Sequence, residues 1–267
     1  EISYYVDKSQ SGTPLVLLHS INAAPSAFEV RPLFVHYRDQ RPVFALDLPG
    51  FGFSQRGDRP YSPQLYAGAI IDFLRDVVGE PADVIALSLS SEFAARAALN
   101  QPDLFRSLTV VSPTGLGPTE IDFPEDTIYG VVSVPLWSQP LFDLLVTRPV
   151  IRYYTGQSFV GDAPREFIDY AYATAHQPDA RFAPLRFLSG ALFTPDIRRS
   201  VYANLQVPAL MIYDRDPNVS FERLPDLLDA NPRWQAERLV PSLGLPHWEM
   251  LPEMTSVLEG FWSKNQG

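Results

Sequence analysis

Cysteine is absent from all 267 residues. That excludes disulfide bridges, thiolate metal sites and a cysteine nucleophile, and it leaves the compartment undecided on redox grounds. Histidine is scarce, with four residues scattered along the chain, too few and too far apart for a zinc site. No apolar run approaches the roughly 20 residues of a membrane span. Basic residues are outnumbered, 21 Lys and Arg against 31 Asp and Glu, for a net charge of −10. That balance argues against a nucleic acid or an anionic membrane surface as partner. There is no repeat, no low-complexity tract, and no phosphate-binding glycine loop ahead of a suitable helix. The expectation is therefore a protein with no metal and no organic cofactor, acting on a small molecule, with its oligomeric state open.

What the chain does contain is 46% apolar and 19% charged residues, the composition of a globular protein. Its length suits one large α/β domain, or a core carrying an inserted cap. Proline is abundant at 26 residues, about twice average usage. Glu1 stands where Met would begin a chain, so something upstream is expected to have been removed. The cytoplasm is the working expectation for its location.

Taken in order, Ile2 to Val6 alternates and reads as an edge strand. Leu15 to His19 and Val43 to Leu46 are continuous apolar runs, the pattern of strands buried on both faces. Pro25 opens a helix through about Tyr37, and Ser62-Pro63 caps another running to about Val78. Val84-Ile85-Ala86 is followed by the helix-favouring run from Ser91 to Leu99, and Leu108 to Val111 forms the next buried strand. Strand and helix alternate from residue 15 onwards, which implies a mostly parallel sheet covered on both faces. Between residues 116 and 204 the alternation gives way to proline-interrupted helical pieces. These are rich in aromatics, among them Phe123, Tyr129, Trp137, Phe142, Tyr153, Tyr154, Phe159, Phe167, Tyr170, Phe182, Phe187 and Phe193.

The stretch Ala86-Leu87-Ser88-Leu89-Ser90 places a serine between a strand and a helix, with small residues two positions away on each side. A nucleophile elbow has this layout, usually written G-x-S-x-G, because bulk at the flanks collides with the neighbouring strand or helix. Here both glycines are replaced, by Ala86 and Ser90.

Four segments together carry a resemblance to the α/β-hydrolase superfamily across most of the chain. They are Leu15-Val16-Leu17-Leu18-His19-Ser20, Asp47-Leu48-Pro49-Gly50-Phe51-Gly52-Phe53-Ser54, the elbow around Ser88, and the late histidine of Gly244-Leu245-Pro246-His247. Departures are Ser20 in place of Gly, Leu87 where His often precedes the nucleophile, and the missing elbow glycines. The resemblance implies an α/β-hydrolase fold with a core formed by residues 1–115 and 205–267. Residues 116–204 would be a helical cap.

A serine hydroxyl needs an imidazole base held in one tautomer by a carboxylate. In this fold the chain order is Ser, acid, His, so Ser88 would be the nucleophile and His247 the base. Asp216, in Asp216-Pro217 after the strand Pro208 to Tyr213, would be the acid, with Asp214 the alternative. The oxyanion hole would use the backbone N–H groups of Ile21 and Leu89. His19 is expected to be structural, Asp47 to stabilise its own loop, and His36 and His176 to be non-catalytic. The implied activity is hydrolysis of a carboxylic ester or related acyl compound with an apolar group. The alternatives are a C–C bond hydrolase or other triad enzyme of the same fold, or a small-ligand binding protein on a retired hydrolase scaffold.

Overall fold

The computed structural model describes residues 1–118 and 125–265. Phe123 lies outside the described residues.

Seven strands form one sheet in the order β1-β3-β2-β4-β5-β6-β7. They are β1 (Tyr4–Asp7), β2 (Leu15–Leu18), β3 (Val43–Leu46), β4 (Ala82–Leu87), β5 (Phe105–Val111), β6 (Ala209–Tyr213) and β7 (Trp234–Arg238). Only β1 runs antiparallel, pairing Tyr4 with Leu46 at the sheet edge. The others are parallel, with Leu15 opposite both Val43 and Asp83 and Leu108 opposite Ala209. Strands β2, β3 and β4 are buried along their whole length, which is why their sequences show no polar alternation. β7 has no counterpart in the sequence reading. It is a short edge strand, Trp-Gln-Ala-Glu-Arg, with only Trp234 fully buried.

The first three helices are α1 (Arg31–Tyr37), α2 (Pro63–Phe73) and α3 (Ser90–Asn100). A 3-10 turn, Ala27–Val30, precedes α1, so the expected helix from Pro25 is two short pieces. Ser62 caps α2 by accepting the Leu65 N–H at 3.2 Å, and a single π-helical stretch, Leu74–Val78, continues it to Gly79.

Between β5 and β6 the described chain is helical: α4 (Glu125–Val132), α5 (Pro135–Leu145), α6 (Arg148–Gly156), α7 (Arg165–Ala175), α8 (Phe182–Leu188) and α9 (Ile197–Ser200). Proline sits in the first turns of α5 and α6, where its missing N–H costs nothing. Pro140, in contrast, lies inside α5 without ending it. α10 (Leu224–Ala230), α11 (Pro246–Glu249) and α12 (Leu251–Lys264) complete the chain. Among the described residues no helix is long and apolar enough to cross a membrane.

Two apolar layers sandwich the sheet. One packs α2 and α3 against it through Tyr66, Ile70, Phe93 and Ala94. The other packs α1 and α12 through Leu33, Tyr37, Leu258 and Phe261. A third cluster lies within the helical segment around Phe142, Ile151, Ile168 and Ala171. The carboxyl ends of β2, β4, β5 and β6 converge on one edge, the place where a parallel sheet gathers its ligand-binding loops.

Candidate active site

Ser88 stands between β4 and α3 with φ +50°. An L-residue pays about 1–2 kcal/mol to adopt that left-handed backbone, and here the neighbours enforce it. The Ser88 N–H donates to the Val111 carbonyl of β5 at 2.8 Å, and the Ser88 carbonyl accepts the Ser91 N–H at 3.1 Å as α3 begins. Ser88 keeps partial solvent access while both its flanking residues are buried. Its hydroxyl has no hydrogen-bond partner among the described residues.

The small residues flanking the elbow have separate tasks. Ala86 lies fully buried in β4. Ser90 does what glycine could not: its hydroxyl donates to the His19 carbonyl at the end of β2, and the Leu87 carbonyl lies within 3.0 Å of it. The elbow is thereby tied to the neighbouring strand. Replacing Ser90 by the family's glycine removes that tie, and we expect Ser90→Gly to lower stability by about 1 kcal/mol. Urea denaturation checks this, and an unchanged midpoint would contradict it.

Ile21 and Leu89 are both buried, and neither backbone N–H has an acceptor among the described residues. Buried main-chain donors without a partner are rare in folded proteins. One follows the β2 turn and the other follows Ser88, so two unsatisfied donors sit at the ends of adjacent strands. The first turn of α3 adds positive potential on the Leu89 side.

The turn carrying Ile21 is built from buried polar groups. His19 is fully buried, and its Nε2 accepts the Leu48 N–H at 2.9 Å. The proton therefore resides on Nδ1, which donates to the Ser20 carbonyl at 2.5 Å. Burial pushes His19 down to about 4, so it stays neutral. Asp47 accepts the Phe53 N–H of its own loop at 2.9 Å and also the Ala27 N–H at 2.7 Å. It joins the glycine loop to the turn before α1.

His247 lies in the first turn of α11 and is completely buried. Its Nε2 donates to the Glu29 carbonyl at 2.7 Å, and the Trp248 indole N–H donates to the same oxygen at 2.7 Å. Nδ1 is buried and has no partner among the described residues. Burial pushes this imidazole down to about 4, which keeps it neutral with a free lone pair on Nδ1. No hydrogen bond joins Ser88, Asp216 and His247 in this arrangement.

The two aspartates after β6 differ in their surroundings. Asp214 is buried with both oxygens occupied, Oδ1 by Arg238 Nε at 2.9 Å and Oδ2 by the Ser242 N–H at 3.0 Å. Burial alone would raise its pKa, but these donors and the Arg215 charge hold it below the usual carboxylate range. Asp216 is partly buried and accepts the Asn218 N–H at 2.8 Å. Its pKa is raised by burial, against the pull of the Asn218 and Val219 N–H groups and the Ser112 hydroxyl. Its other oxygen borders the segment leading to His247: a β-carbon on Gly244 would stand 3.1 Å from Asp216 Oδ2.

Three residues that sequence reasoning did not single out organise this region. The Glu29 carboxyl accepts the Ser20 N–H at 2.7 Å and the Asn22 side-chain amide at 3.0 Å. Glu249 accepts the Val160 and Gly161 N–H groups at 2.9 and 2.8 Å, fastening α11 to the segment after α6. Glu92, on α3, accepts the Thr114 hydroxyl and the Thr194 N–H, the latter at 2.8 Å. Of the remaining histidines, His36 faces Glu259 at 3.9 Å and His176 bonds the Tyr172 carbonyl at 2.7 Å. Both are remote from the elbow in these contacts.

A parallel sheet flanked by helices, with a serine at a strained strand–helix junction and free backbone donors beside it, defines the architecture of the α/β hydrolases. The model of the alpha/beta hydrolase family matches residues 15–255, and the chain belongs to that family. Over 119 residues the chain is 29% identical to 2-(acetamidomethylene)succinate hydrolase of Mesorhizobium japonicum, covering 45% of this chain and 42% of that protein. Over 102 residues it is 30% identical to the uncharacterized hydrolase YugF of Bacillus subtilis, covering 38% of this chain and 37% of that one. The match thus spans less than half of either relative's length. Among solved structures, the serine hydrolase CarC involved in carbazole degradation superposes with a TM-score of 0.78 at 16% identity, covering 97% of this chain and 93% of its own. The meta-cleavage product hydrolase CumD of Pseudomonas fluorescens IP01 gives 0.74 at 18%, covering 98% and 94%. A thermophilic esterase of Thermogutta terrifontis gives 0.75 at 16%, covering 100% and 94%.

Proposed function

We propose that the protein hydrolyses a carboxylic ester or related acyl compound carrying an apolar group, through an acyl-enzyme on Ser88. The observation that carries this reading is Ser88 itself: an unpartnered hydroxyl on a strained backbone, at a strand end where the buried residues Ile21 and Leu89 leave their N–H groups without an acceptor among the described residues. A protein spends strain on one side chain when the fold requires that side chain aimed in a particular direction.

In this reading His247 takes the Ser88 proton as the oxygen attacks the substrate carbonyl. The oxyanion is held by Ile21 and Leu89, and the alcohol leaves with the proton that His247 returns. Water then gives its proton to His247, attacks the acyl carbon and releases the acid, and Ser88 regains its proton. For this, Nε2 has to leave the Glu29 carbonyl and give its proton to solvent, while Nδ1 takes one up and donates it to Asp216, so that Nε2 presents the lone pair. A half-turn of the ring about Cβ–Cγ exchanges Nε2 with Cε1 and Nδ1 with Cδ2, and is the smallest movement that frees it. Asp216 then orients the ring, because Asp214 has both oxygens engaged elsewhere. Residues 116–204 act as the cap over this site, with a minority of its aromatics facing the substrate.

The aspartates give a paired prediction. Asp216→Asn is expected to lower kcat by roughly 10³- to 10⁴-fold with little effect on the melting temperature. Asp214→Asn is expected to lower stability by about 1–3 kcal/mol, since one of the two donors on the buried carboxylate, the Ser242 N–H or the half-exposed Arg238 guanidinium, then faces an amide NH2. Steady-state kinetics and thermal melts of the two variants read this directly, and the reverse pattern would make Asp214 the acid.

The substrate class is tested by turnover of p-nitrophenyl esters of increasing acyl length beside a vinylogous ring-cleavage diketone. Ester hydrolysis supports the proposal. Cleavage of the C–C substrate alone moves the function to that reaction, and binding without turnover of either points to a ligand-binding role.

A further inference from the structure

We infer that Glu29 is the positioning residue of this site: its carboxylate sets the oxyanion loop through Ser20 and Asn22, while its main-chain carbonyl holds the His247 segment. The inference rests on the acyl-transfer reading of Ser88. Among the described residues no other residue hydrogen-bonds to both the Ser20–Asn22 turn and the His247–Trp248 segment.

The carboxyl is almost wholly buried, at 4% exposure, and each of its oxygens has its own donor. Oε2 receives the Ser20 N–H, and Oε1 receives the Asn22 amide. Asn22 is itself fixed, its Nδ2 also reaching the Ser20 hydroxyl at 2.9 Å and its Oδ1 accepting the Ala24 N–H at 2.8 Å. Ile21 lies between these two clamped residues. Its N–H direction therefore follows from where Ser20 and Asn22 are held. This also accounts for Ser20 and Asn22 in a turn where the family usually begins with glycine. The side chains supply the rigidity, and Glu29 supplies the acceptors.

Two donors meeting two oxygens is an arrangement that suits a carboxylate and no other side chain. Protonation removes the charge that strengthens both contacts, and each becomes a weaker hydrogen bond to a neutral acid. The groups around Glu29 do not compensate. Asp47, from the end of β3, disfavours the charge, and the Tyr154 hydroxyl from α6 brings no charge of its own, its ionisation pushed up by burial. His19 and His247 are both neutral. Burial raises Glu29 from the ordinary range to about 7. The loop is thus held in its clamped form above that pH and loosened below it. Stability runs the other way: the buried charge costs most above pH 7, and the cost falls away as Glu29 takes up its proton.

The test compares the wild type with Glu29→Gln, a near-isosteric change that keeps one acceptor and places an amide against the Asn22 amide. Hydrolysis of p-nitrophenyl butyrate across the neutral range should show kcat lower in the variant by roughly 10- to 100-fold. KM should change by less than about threefold, the mark of an interaction made in the transition state. The wild-type profile should carry an acid limb with a midpoint near 7 that the variant lacks. In parallel, the backbone amide NMR signals of Ser20 and Ile21 should titrate with the same midpoint in the wild type and stay flat in the variant. That readout needs no turnover, so an inactive wild type defeats the acyl-transfer reading while the amides still decide the role of Glu29. Non-titrating amides in the wild type overturn the inference. So does a loss of kcat with an unaltered pH profile, which would make Glu29 merely structural.

Discussion

Ser88→Ala is expected to lower ester turnover by roughly 10⁴-fold or more, because the acyl-enzyme cannot form and only the oxyanion donors and substrate binding remain. The variant should fold as well as the wild type, since it keeps the β-carbon and its hydroxyl has no partner to lose. Ser88→Gly makes the argument sharper. It should be equally inactive, yet its backbone is at ease at the φ of +50° that Ser88 holds under strain. We expect this variant to be at least as stable as Ser88→Ala, although glycine normally loses about 0.5–1 kcal/mol to chain entropy. Melting temperatures and kinetics of the two variants, measured side by side, check both halves. Residual activity in Ser88→Ala comparable to the wild type would move the chemistry elsewhere.

Gly52→Ala is the second large effect, and it falls first on stability. Gly52 has φ +53°, and a β-carbon there would overlap the Asp47 carboxyl group. Asp47 cannot retreat without leaving the Ala27 and Phe53 N–H groups unpaired, at about 1–3 kcal/mol each. The left-handed backbone adds about 1–2 kcal/mol for a non-glycine residue. The sum is of order 3 kcal/mol or more, which for a chain of this size lowers the melting temperature by about 6–12 °C. Activity should fall as well, because Asp47 anchors the turn that carries Glu29. Gly79→Ala is the control: φ is +79° there, but nothing lies within 4 Å of the added carbon. It should cost only the backbone share. Equal losses at the two positions would contradict the packing argument.

How much of this was legible in the sequence depends on where each residue gets its role. The strands β2, β3, β4 and β6 were legible because burial on both faces leaves uninterrupted apolar runs, and the elbow because small residues must flank it. Asp47 and His19 were legible as loop-holders from their place beside glycines and turns. β7 was not, since a five-residue edge strand with three polar side chains lacks both signals. Nor was Glu29, which in Phe28-Glu29-Val30 has the look of a solvent-facing residue. Its burial comes from Asn22, Ser20 and His247 arriving from elsewhere in the chain, and no local pattern encodes that. The choice between Asp214 and Asp216 likewise turns on Arg238 and Ser242, residues more than 20 positions away whose approach follows from β7.

The central claim is that Ser88 is an activated nucleophile served by His247. The most direct measurement is labelling of the folded protein with a fluorophosphonate probe, followed by peptide mass mapping. The account predicts a single adduct, on Ser88, that is lost in His247→Ala. An unlabelled but well-folded protein, or an adduct on a different serine, would contradict it.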